Sequence, residues 1–308
     1  RIEPYCYRPL PVIDLRLCSG HEQDVQIRNH IQGEEERPFH LSQDLPIRLS
    51  LFQLQDDEFV LVFCLHHIAY EVSSERVLFH EMAVLYQAFC AEEPSPLADL
   101  PIQYADYAVW QRQTLTDDSL AEKITFYQQL LGDELPTLDL PTDYPRSNQR
   151  DFTCKTLIMP VSPELHRTLR QFSQLQGTSI FNILLAIFYI ILYRYTGQEK
   201  IVVGTPVNGR NHAPLNKLLG IFVNEIPLPV TLTGQLTFNQ LLQRVQQTTR
   251  DAYTHPDLPF HKLFQQLSGQ QGRDYFSVTF NMPAGRNELQ LSGLTVKRLP
   301  LHRVHSQA

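Results

Sequence analysis

Apolar and polar residues alternate from Pro46 to Leu54, the two-residue period of a strand with one covered face. Phe59 to Leu65 is continuously apolar and rich in β-forming residues, as a central strand is. The acidic run Asp56-Asp57-Glu58 between them predicts a hairpin. The period then changes. Val77, Leu78, Met82, Leu85, Tyr86 and Phe89 recur at helical spacing behind Ser73 and Ser74, which predicts a capped amphipathic helix ending before Pro94. The strand therefore delivers His66 and His67 to a loop, with a helix opening directly behind it.

Pro94 to Pro101 reads as a linker. A helix is predicted from Tyr104 to about Thr116, with Trp110 on its core face, and another from Leu120 to Leu131, stopped by Gly132. Pro136, Pro141 and Pro145 then mark the boundary between two lobes, 1–145 and 146–308. The second half predicts a strand over Phe152–Met159 and a helix over Pro163–Leu175 with proline in its first turn. A helix over Ile180–Tyr193, buried on most sides, comes next. Strands follow at Lys200–Gly204 and near Phe222–Val230, then helices over Thr237–Tyr253 and Phe260–Leu267. Strands at Phe276–Phe280 and Leu294–Lys297 complete the pattern. The fold class is α/β, an α+β two-layer sandwich.

Composition narrows the function. A chain of 308 residues can bury about three quarters of its unfolded surface and needs no disulfide or metal staple. Its formal charge of −7 argues against nucleic acid, whose phosphates select a basic surface. The longest apolar run, Ile180 to Tyr193, is shorter than the about 20 residues a bilayer span needs. Neither a membrane nor a nucleic-acid partner is expected. The five cysteines, Cys6, Cys18, Cys64, Cys90 and Cys154, include no C-x-x-C pair and read as buried, reduced thiols. No charged-then-apolar leader is visible, and the expected compartment is the cytoplasm.

Several chemistries fail on their motifs. There is no G-x-G-x-x-G, no P-loop and no G-x-S-x-G. His80-Glu81 begins like a zinc-protease helix, but position 84 is Val. No metal site is expected. What remains is His66-His67-Ile-Ala-Tyr-Glu71-Val72-Ser73-Ser74. A histidine at the end of a buried strand is held rigidly yet can face a cleft, and imidazole exchanges protons near neutral pH. Adjacent histidines alone are more often structural.

They do not stand alone. His66 to Val72 resembles the H-H-x-x-x-D-G signature of the condensation domain of nonribosomal peptide synthetases, a relative of chloramphenicol acetyltransferase. Matching segments follow in family order: Tyr104 to Trp110 (YADYAVW), Leu140 to Arg146 (LPTDYPR), Tyr193 to Gln198 (YRYTGQ), Val203 to Arg210 (VGTPVNGR), Gly220 to Asn224 (GIFVN) and His255 to Phe260 (HPDLPF). The resemblance implies two chloramphenicol-acetyltransferase-like lobes in a V-shaped pseudo-dimer with a central tunnel. Donor and acceptor carrier-protein domains would each extend a phosphopantetheine arm into it, within a synthetase of neighbouring domains. The acceptor amine would attack the donor thioester and form an amide, or an ester from a hydroxyl. No cofactor is bound by the domain itself.

By the same resemblance the candidate catalytic residues are His67, at the meeting point of the arms, and His66 beside it. Glu71 takes the place of the family Asp and pairs with Arg210. Val72, Ser73 and Asn224 line the tunnel, where Asn224 would polarise a carbonyl or hold a substrate amide. Three departures stand out. Glu71 is one methylene longer than Asp, Val72 replaces a glycine that leaves room for the donor arm, and Glu225 stands where threonine is usual. The family's R-H-E-x-L-R-T segment is missing, so the first lobe is expected to be incomplete, and the chain after Arg273-Asp274 is shorter than the family's. Two other readings fit these features: an epimerisation domain of the same superfamily, and a degenerate module kept for carrier docking or enzyme recruitment.

Overall fold

The computed structural model describes residues 7–132, 137–144, 155–267, 276–283, 285 and 287–299. Three strands form the first sheet: β1 (Val12–Asp14), β2 (Ile47–Gln53) and β3 (Phe59–Leu65). β2 and β3 are the expected hairpin, antiparallel with Ile47 opposite Leu65 and Gln53 opposite Phe59. Its turn closes where Leu54 N donates to Glu58 O at 2.8 Å. β1 lies parallel to β2, and a parallel pair needs a crossover. Helix α1 (Gly20–Glu36) supplies it. Neither β1 nor α1 was legible in the apolar pattern. α1 has a capping box at Ser19 and Glu22, but only Ile27 is buried along it. The core beneath is small, with Leu15, Ile27 and Phe52 at its centre.

Helix α2 (Ser74–Cys90) follows as expected, then α3 (Tyr104–Thr114) and α4 (Asp117–Leu131), which ends at Gly132. α4 precedes the proline-dense stretch, yet its Tyr127 and Leu131 are buried in the larger, second core. There the Tyr127 hydroxyl donates to the carbonyls of Ala252 and His255, both at 3.1 Å.

That core is built on β4 (Lys200–Val207) and β5 (Asn224–Thr231), antiparallel with Val203 opposite Leu228. Helices α5 (Pro163–Leu175), α6 (Ile180–Thr196), α7 (Phe238–Ala252) and α8 (Phe260–Leu267) complete it. The β-branched run of β4 pairs the sheet, and Leu185 and Tyr189 of α6 and Leu241 and Val245 of α7 pack with it. α6 is buried over one broad face, while Ile187 and Ile191 meet solvent on the other. Among the described residues no single helix is long and apolar enough to cross a membrane.

Five expectations are corrected. Residues 155–159 carry no ladder: Leu157, Ile158 and Met159 are exposed, Leu157 at 84%. The remainder of that expected strand lies outside the described residues. Residues 294–297 likewise form no strand. The segment 276–280 does run beside β4, but only through a bridge, with Gly204 N donating to Val278 O at 3.1 Å and Phe280 N to Gly204 O at 2.8 Å. Trp110 is 44% exposed, its ring meeting His212 edge-on with centroids 4.9 Å apart, so it is no core residue. Of the cysteines, Cys18 and Cys64 are half-buried and Cys90 is exposed. Cys6, Cys154, and the shortened stretch after Arg273 lie outside the described residues.

Candidate functional site

β3 ends where His66 N donates to Pro46 O at 2.9 Å. The His66 ring then turns back on its own backbone. Nδ1 accepts the N–H of Ile68 at 3.0 Å and caps a single helical turn, His67–Ala69. An accepting Nδ1 places the proton of the neutral ring on Nε2. His67 stands on that turn with its ring exposed, and it makes no side-chain hydrogen bond among the described residues.

Four residues on, the chain buries a carboxylate. Glu71 is 4% exposed and Arg210, from the loop after β4, 8%. Burying two charges costs several kcal/mol per ion unless geometry and hydrogen bonds compensate. Here both are saturated. Glu71 Oε1 accepts from Arg210 Nε at 2.9 Å and from Ser73 Oγ at 2.6 Å. Glu71 Oε2 accepts from the backbone N–H of Phe222 at 2.9 Å and of Val223 at 2.7 Å. The remaining guanidinium donors reach the carbonyls of Leu215, Leu218 and Gly220 and the Ser74 hydroxyl. The guanidinium also lies over the Phe222 ring, 4.2 Å from its centroid.

Ser73 therefore does not cap α2. Its hydroxyl serves Glu71, and Val72 beside it is 61% exposed. Ser74 is fully buried and exchanges hydrogen bonds with both backbone groups of Gly220. The loop leaves no room for a side chain at two points, one against α3 and one against the loop itself. A Cβ on Gly220 would stand 2.4 Å from Tyr104, and one on Gly209 would stand 2.0 Å from Phe222 O.

The tyrosines of α3 brace the same loop. Tyr104 donates its hydroxyl to Ile221 O at 2.7 Å, and the Tyr104 and Tyr107 rings pack on Phe222. Burial pushes both phenols above their ordinary pKa. Asp106 accepts from Gln103 N at 2.7 Å and caps α3.

Asn224 has a different part from the one expected. Its Nδ2 donates to Pro256 O at 2.8 Å and Leu258 O at 2.6 Å, and its Oδ1 accepts from Phe260 N at 3.2 Å. Both donors are spent on the turn before α8, so this amide has no N–H left to polarise a carbonyl. Lys123 of α4 pairs with Asp257 in that same turn.

One acid was missed, and a second, marked in the sequence only as a departure, has no such partner among the described residues. Glu75, one helical turn beyond Glu71, is buried and pairs with Arg298, and it also accepts from Asn287 N at 3.3 Å. Its spacing of four from Glu71 was the available signal. Glu225, the second residue of β5, is half-buried, faces no cation among the described residues, and has its carboxyl pushed up by burial. Within the motif, His67 is thus the ionisable side chain left uncommitted; His66 caps its own turn and Glu71 is enclosed.

Comparison with known proteins places this arrangement. The family model described as Condensation domain matches residues 1–307. A linear gramicidin synthase of Brevibacillus parabrevis is 41% identical over 274 residues, which are 88% of this chain and 5% of that protein. The chain thus spans about a twentieth of such a relative. Among solved structures, the first condensation domain of the CDA synthetase superposes with a TM-score of 0.74 at 20% identity, covering 94% of this chain and 63% of that one. The complex of the X-domain and OxyB from teicoplanin biosynthesis gives 0.82 at 24%, covering 97% and 66%. The mixed α/β architecture is the chloramphenicol-acetyltransferase-like fold of these domains. With the double histidine, the enclosed acid–arginine pair and a match over almost its full length, the chain belongs to the condensation domain family.

Proposed function

We propose that this chain forms an amide bond between two carrier-bound acyl groups, with His67 as the residue that meets the reacting amine. The acceptor amine nitrogen attacks the donor thioester carbonyl; the C–N bond forms, the C–S bond breaks, and the amine proton ends on the departing thiolate. Holding the two groups together is the larger part of the task. His67 either carries that proton or orients the amine by a hydrogen bond. The thioesters arrive on phosphopantetheine arms of donor and acceptor carriers, and the domain binds no cofactor of its own. The proposed path runs between lobes 1–145 and 146–308, past Val72 and Ser73, where the bulk of Val72 narrows the donor side.

The observation that carries this reading is an exposed His67 on a turn fixed from behind by a fully hydrogen-bonded Glu71–Arg210 pair. A second reading, a module that recruits another enzyme, draws on the similar X-domain solved with OxyB. Loading one carrier with an acyl thioester and a second with an aminoacyl thioester separates the two. The expected result is dipeptidyl product with the wild-type chain and a fall of about 10²- to 10⁴-fold with His67→Ala. Product at an unchanged rate in His67→Ala would remove its role in proton transfer. Intact carriers and no product with the wild type would leave the recruitment reading.

A further inference from the structure

We propose that Phe39, backed by Arg48, is a positioning residue that fixes the His66 ring and, through it, the turn that presents His67. This rests on the reading of His67 given above. Three independent pieces of chain converge on the contact. Arg48 in β2 lies with its guanidinium carbon 3.7 Å from the Phe39 ring centroid. Phe39 in turn meets the His66 ring at 89°, with centroids 5.6 Å apart. His66 caps Ile68 N at 3.0 Å.

Arg48 is itself held. Nη2 donates to Glu34 O at 3.0 Å and Arg37 O at 2.7 Å, and Nη1 to Pro38 O at 3.4 Å. Nε lies 2.6 Å from Glu34 Oε2 but off the line of its N–H, so this contact is ionic and not a directed hydrogen bond. The guanidinium thereby gathers the carbonyls at the end of α1 and sets the Phe39 ring over its own plane. A planar group can do both at once; an ammonium cannot. His66 has one tautomer that can cap Ile68, and its ring must lie in the plane that reaches that N–H. A T-shaped aromatic neighbour restricts that plane. The chain from Glu34 through Arg48 and Phe39 to His66 gives the end of α1 a part in the geometry of the histidines.

The test uses the whole chain labelled with ¹⁵N-histidine, together with the carrier transfer assay. In the wild type the His66 ring is expected to show a non-protonated Nδ1 and a protonated Nε2. Phe39→Leu should shift that signal toward a mixture of tautomers and lower kcat about tenfold or more with KM unchanged, and Phe39→Tyr should restore both. Arg48→Lys should act in the same direction as Phe39→Leu, which keeps the proposal open to test if that variant fails to fold. A folded Phe39→Leu chain with the wild-type His66 tautomer would overturn the proposal. So would one with an altered tautomer and unchanged kcat. The tautomer readout needs no turnover, so a wild type without transfer activity would still decide whether Phe39 sets the ring.

Discussion

Two carboxylates show how much the immediate surroundings decide. Glu71 is nearly sealed, yet it accepts four hydrogen bonds, one of them charged. The extra methylene relative to aspartate lets one oxygen face Arg210 and Ser73 while the other faces two backbone N–H groups. Glu225 is half-buried with no such partner among the described residues, so burial acts on it and raises its carboxyl above the ordinary 4.5. Between that value and its folded pKa the folded chain holds a proton that the unfolded chain has released. The stability tied to that proton is complete below about pH 4.5 and is lost as pH rises through the folded value. Glu225→Gln carries no such dependence. Its Tm relative to the wild type is expected to be higher near pH 7 than near pH 4. An equal difference at the two pH values, in thermal melts of both chains, would refute it. The double histidine was legible because both the residues and their spacing are distinctive. The task of Asn224 was not, since an amide's partners depend on which turn the fold brings opposite it.

Elements with a clear apolar pattern were readable, and those without one were not. β2 and α2 announce themselves by period and β3 and α6 by continuous apolar runs, whereas α1 shows mainly a cap and Ile27. Residues 155–159 and 294–297 carry strand-like composition, but a strand exists only where another edge pairs with it. At the start of β5, Asn224 joins the sheet to the turn before α8 by three hydrogen bonds. Asn224→Ala removes all three and leaves two carbonyls and an amide to find new partners. At about 0.5–1.5 kcal/mol for each bond, a loss of about 2–4 kcal/mol is expected in urea unfolding, with faster amide exchange at Phe260. A loss below about 1 kcal/mol would show that the turn stands without it.

Across the whole molecule, the strongest polar link joins residues far apart in sequence. Glu71 and Arg210 are separated by 139 positions, and Glu71 and Val223 by 152. Periodicity says nothing at such distances; only the likeness to a family pointed to the pair. Removing one partner strands the other in a buried site, so Glu71→Ala and Arg210→Met are each expected to cost about 3–5 kcal/mol. The double variant should cost clearly less than the sum, because neither charge is then left alone. Denaturant unfolding of the four chains measures this, and simple additivity would mean that the pair is not a unit.

α2 holds Glu71 just before its first turn and Glu75 within it, and the two acids grip separate stretches of the second half, at Arg210 and at Arg298. His67 sits four positions upstream in the same short run of backbone. A shift of either stretch against α2 would therefore pull on the backbone that carries the imidazole. The seat of the ring and the hold on the second half are thus carried by one short stretch of backbone.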